Sequence, residues 1–282
     1  MPEPSKAVLI TGCSSGIGRA TAEHLAQAGW TVYATARRPE TLADLEQKGC
    51  LPLALDVTDE ESMRGAVDTV TQTHGAVGVL VNNAGYSQSG AVESVPIERA
   101  RAQFETNVFG LLRMCQLVLP GMRAQRWGKV VNVSSMGGRL TFPGGGLYHA
   151  SKYAVEALSD ALRFEVKGFG IDVIVIEPGL IITQFGDVAA GSVQQTADGG
   201  AYAEFNRKVA QVTEGAYKGP MAKLGAGPEA VAATIARAIQ ARRPKARYPV
   251  TASARVMIGQ RRIMPDRLWD IAMRSQFPQP RA

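Results

Sequence analysis

A chain of 282 residues that is 45% hydrophobic, 20% charged and 6% aromatic has ordinary globular composition, which excludes a mainly disordered, collagenous or coiled-coil architecture. Its formal net charge of +6 is unevenly spread: residues 1–241 carry 21 Lys+Arg against 23 Asp+Glu, whereas the last 41 residues carry 10 against 2. The body therefore lacks the basic surface of a nucleic-acid binder, while the tail suits an anionic surface.

Cys13, Cys50 and Cys115 are odd in number and widely spaced. They make neither a disulfide framework nor a zinc pair, so a reducing, cytoplasmic setting and no metal are expected. The start of the chain lacks a charged segment followed by a long apolar one, so no secretory signal is expected. No apolar run reaches the roughly 18 residues of a membrane span.

In chain order, short apolar runs at 7–11, 31–36, 51–55, 77–81, 129–133 and 171–176 read as strands, with 247–250 as a further one. Helical periodicity fills the gaps. Ile17, Ala20, Leu25 and Ala28 begin the first helix, which Gly29 stops. Thr58 before Glu60 and Glu61 starts a helix over about 59–74. Strands alternating with helices imply βαβ units and a mostly parallel α/β sheet, buried on both faces.

Glycine is dense from 183 to 227 and periodicity is poor. The segment follows a strand end, where open α/β sheets bind ligands, so it reads either as a mobile lid or as a peripheral excursion. Helix resumes at Pro228. Residues 253–282 form a basic amphipathic extension, in which Pro265 is expected to separate two helices. Its apolar face has three possible fates: packing on the body, a subunit contact, or a membrane interface.

Two patterns carry chemistry. Thr11-Gly12-Cys13-Ser14-Ser15-Gly16-Ile17-Gly18 joins the first strand to the first helix. Gly12 permits a tight turn, Gly16 permits close approach of backbone amides to a pyrophosphate, and Gly18 permits close helix–strand packing, with the helix N-terminus facing the phosphates. Tyr148 and Lys152 are four residues apart and share a helical face. An ammonium beside a phenol favours the phenolate.

The turn resembles the T-G-x-x-x-G-x-G of the short-chain dehydrogenase/reductase family. Asn82-Asn83-Ala84-Gly85, Ser134-Ser135, Tyr148-His149-Ala150-Ser151-Lys152 and Pro178-Gly179 follow in the family's order. The resemblance spans about 6–249. TGCSSGIGRATA looks most like the hydroxysteroid and retinol dehydrogenase-like, and acyl-dihydroxyacetone-phosphate reductase-like, branch.

This resemblance implies a single Rossmann-type, doubly wound catalytic domain over 1–252, with a parallel sheet of about seven strands extending the order 3-2-1-4-5-6. It also implies a carbonyl/alcohol oxidoreductase acting on a bulky apolar substrate. Tyr148 would be the proton donor, Lys152 its activator, and Ser135 the residue binding the carbonyl oxygen, with Ser134 the competing assignment. Asn107 would link the lysine to solvent through a water.

Gly12, Ser14, Ser15, Gly16, Ile17 and Gly18 would hold the pyrophosphate. Asp56 and Val57 would meet the adenine, and Asn83, Ala84 and Gly85 the ribose and phosphates. Pro178, Gly179, Ile181 and Thr183 would border the nicotinamide, whose ribose Tyr148 and Lys152 would also hold. Ala36 stands where an NAD site has its carboxylate, and Arg37 and Arg38 follow it, so NADP(H) is expected over NAD(H). A homodimer or homotetramer is implied, through helices around 99–122 and 150–167. A non-catalytic NADP(H)-binding regulator and a membrane-surface lipid ketone reductase are the rival readings.

Overall fold

The structure is a computed structural model that describes residues 3–194, 200–218 and 225–280. Seven parallel strands form one sheet in the order β3-β2-β1-β4-β5-β6-β7. They are β1 Val8–Ile10, β2 Val32–Ala36, β3 Leu51–Ala54, β4 Val79–Asn82, β5 Gly128–Val133, β6 Ile171–Glu177 and β7 Arg247–Pro249. The order reverses between β1 and β4, so the chain doubly winds and opens a crevice at the carboxyl ends of these strands.

The central strands are buried as their apolar runs require, and the two faces carry separate clusters built around Ile10, Val81 and Ile174 on one side and Leu9, Leu80 and Val130 on the other. Strand β3 departs from the expectation of burial on both faces: Leu51 is 43% exposed. As the sheet edge, β3 also tolerates Pro52, whose missing N–H would cost a ladder bond in a central strand.

Helix α1 (Gly16–Gln27) follows the glycine-rich turn, and short α2 (Ala43–Glu46) precedes β3. Helix α3 (Glu60–His74) starts one residue later than expected, and its cap is Asp59 rather than Thr58. The Asp59 carboxylate accepts from the amides of Glu61 and Ser62, while the Thr58 hydroxyl is drawn to Asp56. Helix α4 (Ile97–Phe104) runs through a π turn, Glu105–Gly110, into α5 (Leu111–Ala124), and α6 (Gly146–Glu165) follows β5.

The glycine-dense span is more helical than its poor periodicity suggested. It contains α7 (Phe185–Gln194) and α8 (Ala203–Lys218), while the flanking 195–199 and 219–224 lie outside the described residues. Phe205, Val209 and Val212 lie at helical spacing on α8 and pack with Val193 of α7.

Helix α9 (Pro228–Gln240) begins at Pro228, as expected. In the extension, Pro265 divides α10 (Ala252–Ile263) from α11 (Asp266–Arg274). Met273 and Phe277 are buried against Val193, Val209, Phe205 and Phe142, and the Trp269 indole donates to the Thr141 carbonyl at 3.1 Å. That face of the extension thus packs on α7 and α8 of the same chain. No helix among the described residues is long and apolar enough to cross a membrane.

Candidate active site

The glycine-rich turn and the end of β4 are locked to each other. The Thr11 hydroxyl accepts from the amides of Asn83 and Ala84, and the Asn83 carboxamide donates to the carbonyls of Thr11 and Gly12 at 2.9 Å. Asn83 therefore braces the turn. A Cβ on Gly18 would collide with the Gly12 carbonyl and the Asn83 amide, which is why helix and strand come this close only through glycine. Gly12 and Gly16 take positive φ of 74° and 59°, a conformation glycine adopts without steric cost.

At the start of α1, Ser14 and Ser15 are exposed, and Ser15 caps the helix without a side-chain bond. The exposed serines and the N-terminal amides of α1 form a cradle, with Thr183 across from Gly16. This cradle fits a dinucleotide pyrophosphate.

Cys13, inside the turn, is buried with its thiol on the Ile10 carbonyl, and burial pushes its pKa up to about 12. It is a packing residue rather than a nucleophile.

Beyond β2, Arg37 and Arg38 are exposed at the strand's carboxyl end, beside buried Ala36. Arg19 of α1 joins this edge: it lies within 3.5 Å of the Ser14 and Thr41 carbonyls and pairs with Asp44. The sequence analysis missed Arg19, although its place one residue after Gly18 in the first helical turn was visible. Asp56 receives the amide and hydroxyl of Thr58, and the Val57 carbonyl lies against Gly110, where a side chain would not fit.

Tyr148 and Lys152 sit on the inward face of α6, and Ser135 lies opposite, on the loop after β5. Ser135 caps a short 3-10 turn, Met136–Gly138, accepting from the Gly137 amide at 3.0 Å, and its hydroxyl pulls the Tyr148 pKa down. Ser134, the competing assignment, is buried with no partner for its hydroxyl among the described residues.

The phenol differs from its expected state. Burial raises its pKa above the ordinary range, against the lowering pull of Ser135, and nearby Tyr217 adds to the rise. Lys152 does not offset this, because its ammonium donates to the Val133 carbonyl at 2.9 Å and lies 5.8 Å from the Tyr148 ring centre. Burial also lowers the Lys152 pKa to about 8, with Glu156 pulling upward.

Asn107 occupies the π turn, where one extra residue per turn redirects the side chain out of the regular helical rows. Its amide donates to the Tyr86 carbonyl at 2.9 Å and to the Ser151 hydroxyl at 3.0 Å, and its oxygen accepts from the Tyr86 amide. Ser151 in turn donates to the Tyr148 carbonyl. A side chain at Gly85 would press on Asn107 Oδ1 and approach Lys152 Nζ, so these three positions converge. Ser151 went unnoticed in the sequence because it looked like a spacer between Tyr148 and Lys152.

Pro178 and Gly179 close the far side. The Pro178 carbonyl accepts from Met136, and Gly179 leaves room for Thr251, which caps α10. Ile181 is buried in the core beneath this loop. Phe185 places its ring 5.5 Å from that of Tyr148, and Tyr217 stacks on Gly186. Helices α7 and α8 thus give the site an aromatic wall that residue spacing did not reveal. His149, though off the Tyr148–Lys152 face as expected, is buried with its ring on the Gly137 carbonyl, and burial lowers its pKa to about 4. It is a neutral packing residue at physiological pH.

One turn beyond Lys152, Glu156 meets Arg247 at 2.9 Å. Glu177, at the end of β6, lies 3.4 Å from Arg247 and 3.7 Å from Arg139. Burial, helped by the Glu156 and Asp160 charges and opposed by Arg139 and Arg247, pushes the Glu177 pKa up to about 7. A carboxyl raised in the folded state holds its proton there more tightly than in the unfolded chain. Its stabilising contribution is therefore full below about pH 4.5 and is lost as pH rises through about 7. Glu177→Gln keeps the neutral form at every pH, so its Tm should fall less than that of the wild type between about pH 5 and about pH 8. Parallel Tm–pH curves would contradict this.

A doubly wound sheet with a glycine-rich turn at its switch point is the frame on which nicotinamide-dependent oxidoreductases are built. The family model for short chain dehydrogenase matches residues 6–190, and the chain belongs to the short-chain dehydrogenase/reductase family. It is 36% identical over 269 residues to a 3-ketodihydrosphingosine reductase of Bacteroides thetaiotaomicron, covering 95% of this chain and 96% of that one. It is 35% identical over 274 residues to an NADPH-dependent 3-dehydrocapnine reductase of Ornithobacterium rhinotracheale, covering 93% and 94%. Among solved structures, a short-chain dehydrogenase from Streptomyces avermitilis superposes with a TM-score of 0.77 at 35% identity, covering 96% of this chain and 95% of that one.

Proposed function

We propose that this protein is an NADP(H)-dependent reductase of a ketone on a bulky, apolar, lipid-like chain, working through Ser135, Tyr148, Lys152 and Asn107. The observation that carries the reading is the convergence of Tyr148, Lys152 and Asn107 at Gly85, on the strand end that is tied to the glycine-rich turn. With its pKa raised by burial, Tyr148 is held at neutral pH as an acid, the form needed to give a proton to a carbonyl oxygen. The Ser135 hydroxyl, which acts on that phenol, would donate to the same oxygen and stabilise developing negative charge.

The nicotinamide, when bound, supplies the hydride. Lys152, one turn along α6 with its ammonium on the Val133 carbonyl, would hold the nicotinamide ribose beside the phenol. Asn107, held by Tyr86 and Ser151, keeps a polar outlet behind the lysine for proton resupply. Gly12, Ser14, Ser15, Gly16, Ile17 and Gly18 would cradle the pyrophosphate, Asp56 and Val57 would border the adenine, and Asn83, Ala84 and Gly85 the ribose and phosphates. Pro178, Gly179, Ile181 and Thr183 border the nicotinamide half.

Arg37, with Arg38 and Arg19 beside it, favours the 2′-phosphate of NADP(H). By their names the two relatives above reduce 3-ketodihydrosphingosine and 3-dehydrocapnine, and the Phe185 and Tyr217 rings beside Tyr148 suit an apolar chain. NADPH consumption with a panel of 3-keto amphiphiles, steroids and retinoids tests the reading. Turnover with long-chain ketones is expected; binding of NADPH with no turnover on any carbonyl would favour the regulator.

Assembly through α5 and α6 belongs to the same proposal. Val108, Leu111 and Cys115 are buried inward, whereas Phe109, Ala157, Ala161 and Phe164 face outward and exposed. A covered partner face explains such side chains better than solvent does. Light scattering at micromolar protein should give a dimer or tetramer mass; a monomer mass would contradict it.

A further inference from the structure

The extension has two faces, and only one is explained by packing on the lid. On α10, Val256 is 56% and Ile263 83% exposed; on α11, Leu268 is 55% and Ile271 60% exposed. Val256 and Ile263 are seven residues apart, two turns along one stripe, and Arg255 and Arg262 form the adjacent stripe at the same spacing.

Beneath α10 lies a cleft of about 430 Å³ lined by Arg139, Arg255, Arg261 and Arg262, with Tyr153 and Ile258 among its apolar walls and no carboxylate. Arg261 is held by Asp266 and by the Trp269 ring, and Arg139 is held from behind by Glu156 and Glu177. Among the described residues no carboxylate pairs with Arg255 or Arg262. Over 253–277 the chain carries five arginines against two aspartates.

We propose that this face is the seat of an anionic phospholipid bilayer. A headgroup phosphate enters the cleft among the four arginines, and Val256 and Ile263 enter the acyl boundary, as an interfacial amphipathic helix requires. Guanidinium groups suit the occupant, since their fork matches phosphate oxygens. A second copy suits the face poorly: a two-fold contact here would bring the Arg255 and Arg262 stripe against its own equivalent, with unpaired like charges. The docking does not depend on which ketone is reduced, and it sets the lid helices, to which α11 is fastened, at the membrane surface.

The test is sedimentation of the full chain with vesicles of phosphatidylcholine alone or mixed with phosphatidylglycerol, at low salt. The protein should pellet with the mixed vesicles and stay in solution with phosphatidylcholine. The double variant Arg255→Glu/Arg262→Glu should bind the mixed vesicles at least about tenfold more weakly, and Val256→Ser/Ile263→Ser should also weaken binding. Both variants should turn over a soluble ketone at the wild-type rate and keep the wild-type mass. Inorganic phosphate should compete no better than chloride at equal ionic strength; strong competition would mark a site for the free ion and overturn the bilayer assignment. Wild-type protein left in solution with mixed vesicles, or variants that pellet equally well, would also overturn it. A reduced assembly mass in either variant would reassign the face to a second copy.

Discussion

Tyr148→Phe is expected to lower kcat/KM for ketone reduction by about a thousandfold, because a positioned proton donor contributes on the order of 10²–10⁴. The variant loses one hydroxyl and keeps the ring that packs on Phe185 and His149, so fold and lid contact should survive. Binding of NADPH, followed by its fluorescence, should change little. A near wild-type rate would remove Tyr148 from the chemistry. Loss of NADPH binding would instead assign it chiefly to the cofactor.

Arg37→Asp is expected to reverse or abolish the preference for NADPH over NADH. The substitution removes a guanidinium available to the 2′-phosphate and adds a carboxylate suited to a free 2′-hydroxyl. A hydrogen bond to a charged group is worth about 1.5–3 kcal/mol, so the ratio of kcat/KM values should shift by more than roughly tenfold. Because Arg37 is exposed at the sheet edge, its loss should leave the melting temperature nearly unchanged. An unchanged ratio would move phosphate recognition to Arg19 or Arg38.

The strands were legible because parallel β-structure buried on both faces is written as unbroken apolar runs, and each run from Val8 to Ile176 lies in the sheet. Where a strand is half exposed, as β3 is, the run is the same but the environment depends on position in the sheet, which local pattern does not carry. The phosphate turn was legible because only glycine permits its backbone and its packing, at Gly12 and Gly18 alike.

Helices α7 and α8 were hidden. Glycines at 186, 191 and 215 outweighed the Phe205, Val209 and Val212 stripe, which acquires meaning only against its partners in α7 and α11. Asn107 was identified from its motif, but the π turn that aims it has no compositional sign.

Electrostatics were the least legible. Spacing put Lys152 beside Tyr148, yet the ammonium is drawn to Val133, and burial governs the phenol. The Arg139, Glu156, Glu177 and Arg247 cluster joins four distant segments, so no local reading could assemble it.

The central claim is that Tyr148 and its neighbours complete a reductase site that moves hydride from NADPH to a ketone carbon. The most direct test is label transfer. NADPH carrying deuterium at the reactive position of its nicotinamide is incubated with wild-type protein and a long-chain 3-ketone, and the alcohol product is analysed by mass spectrometry. A single deuterium on the new carbinol carbon, absent in the Tyr148→Phe variant, is the result expected. Alcohol without label, or no alcohol from any ketone despite tight NADPH binding, would contradict the account.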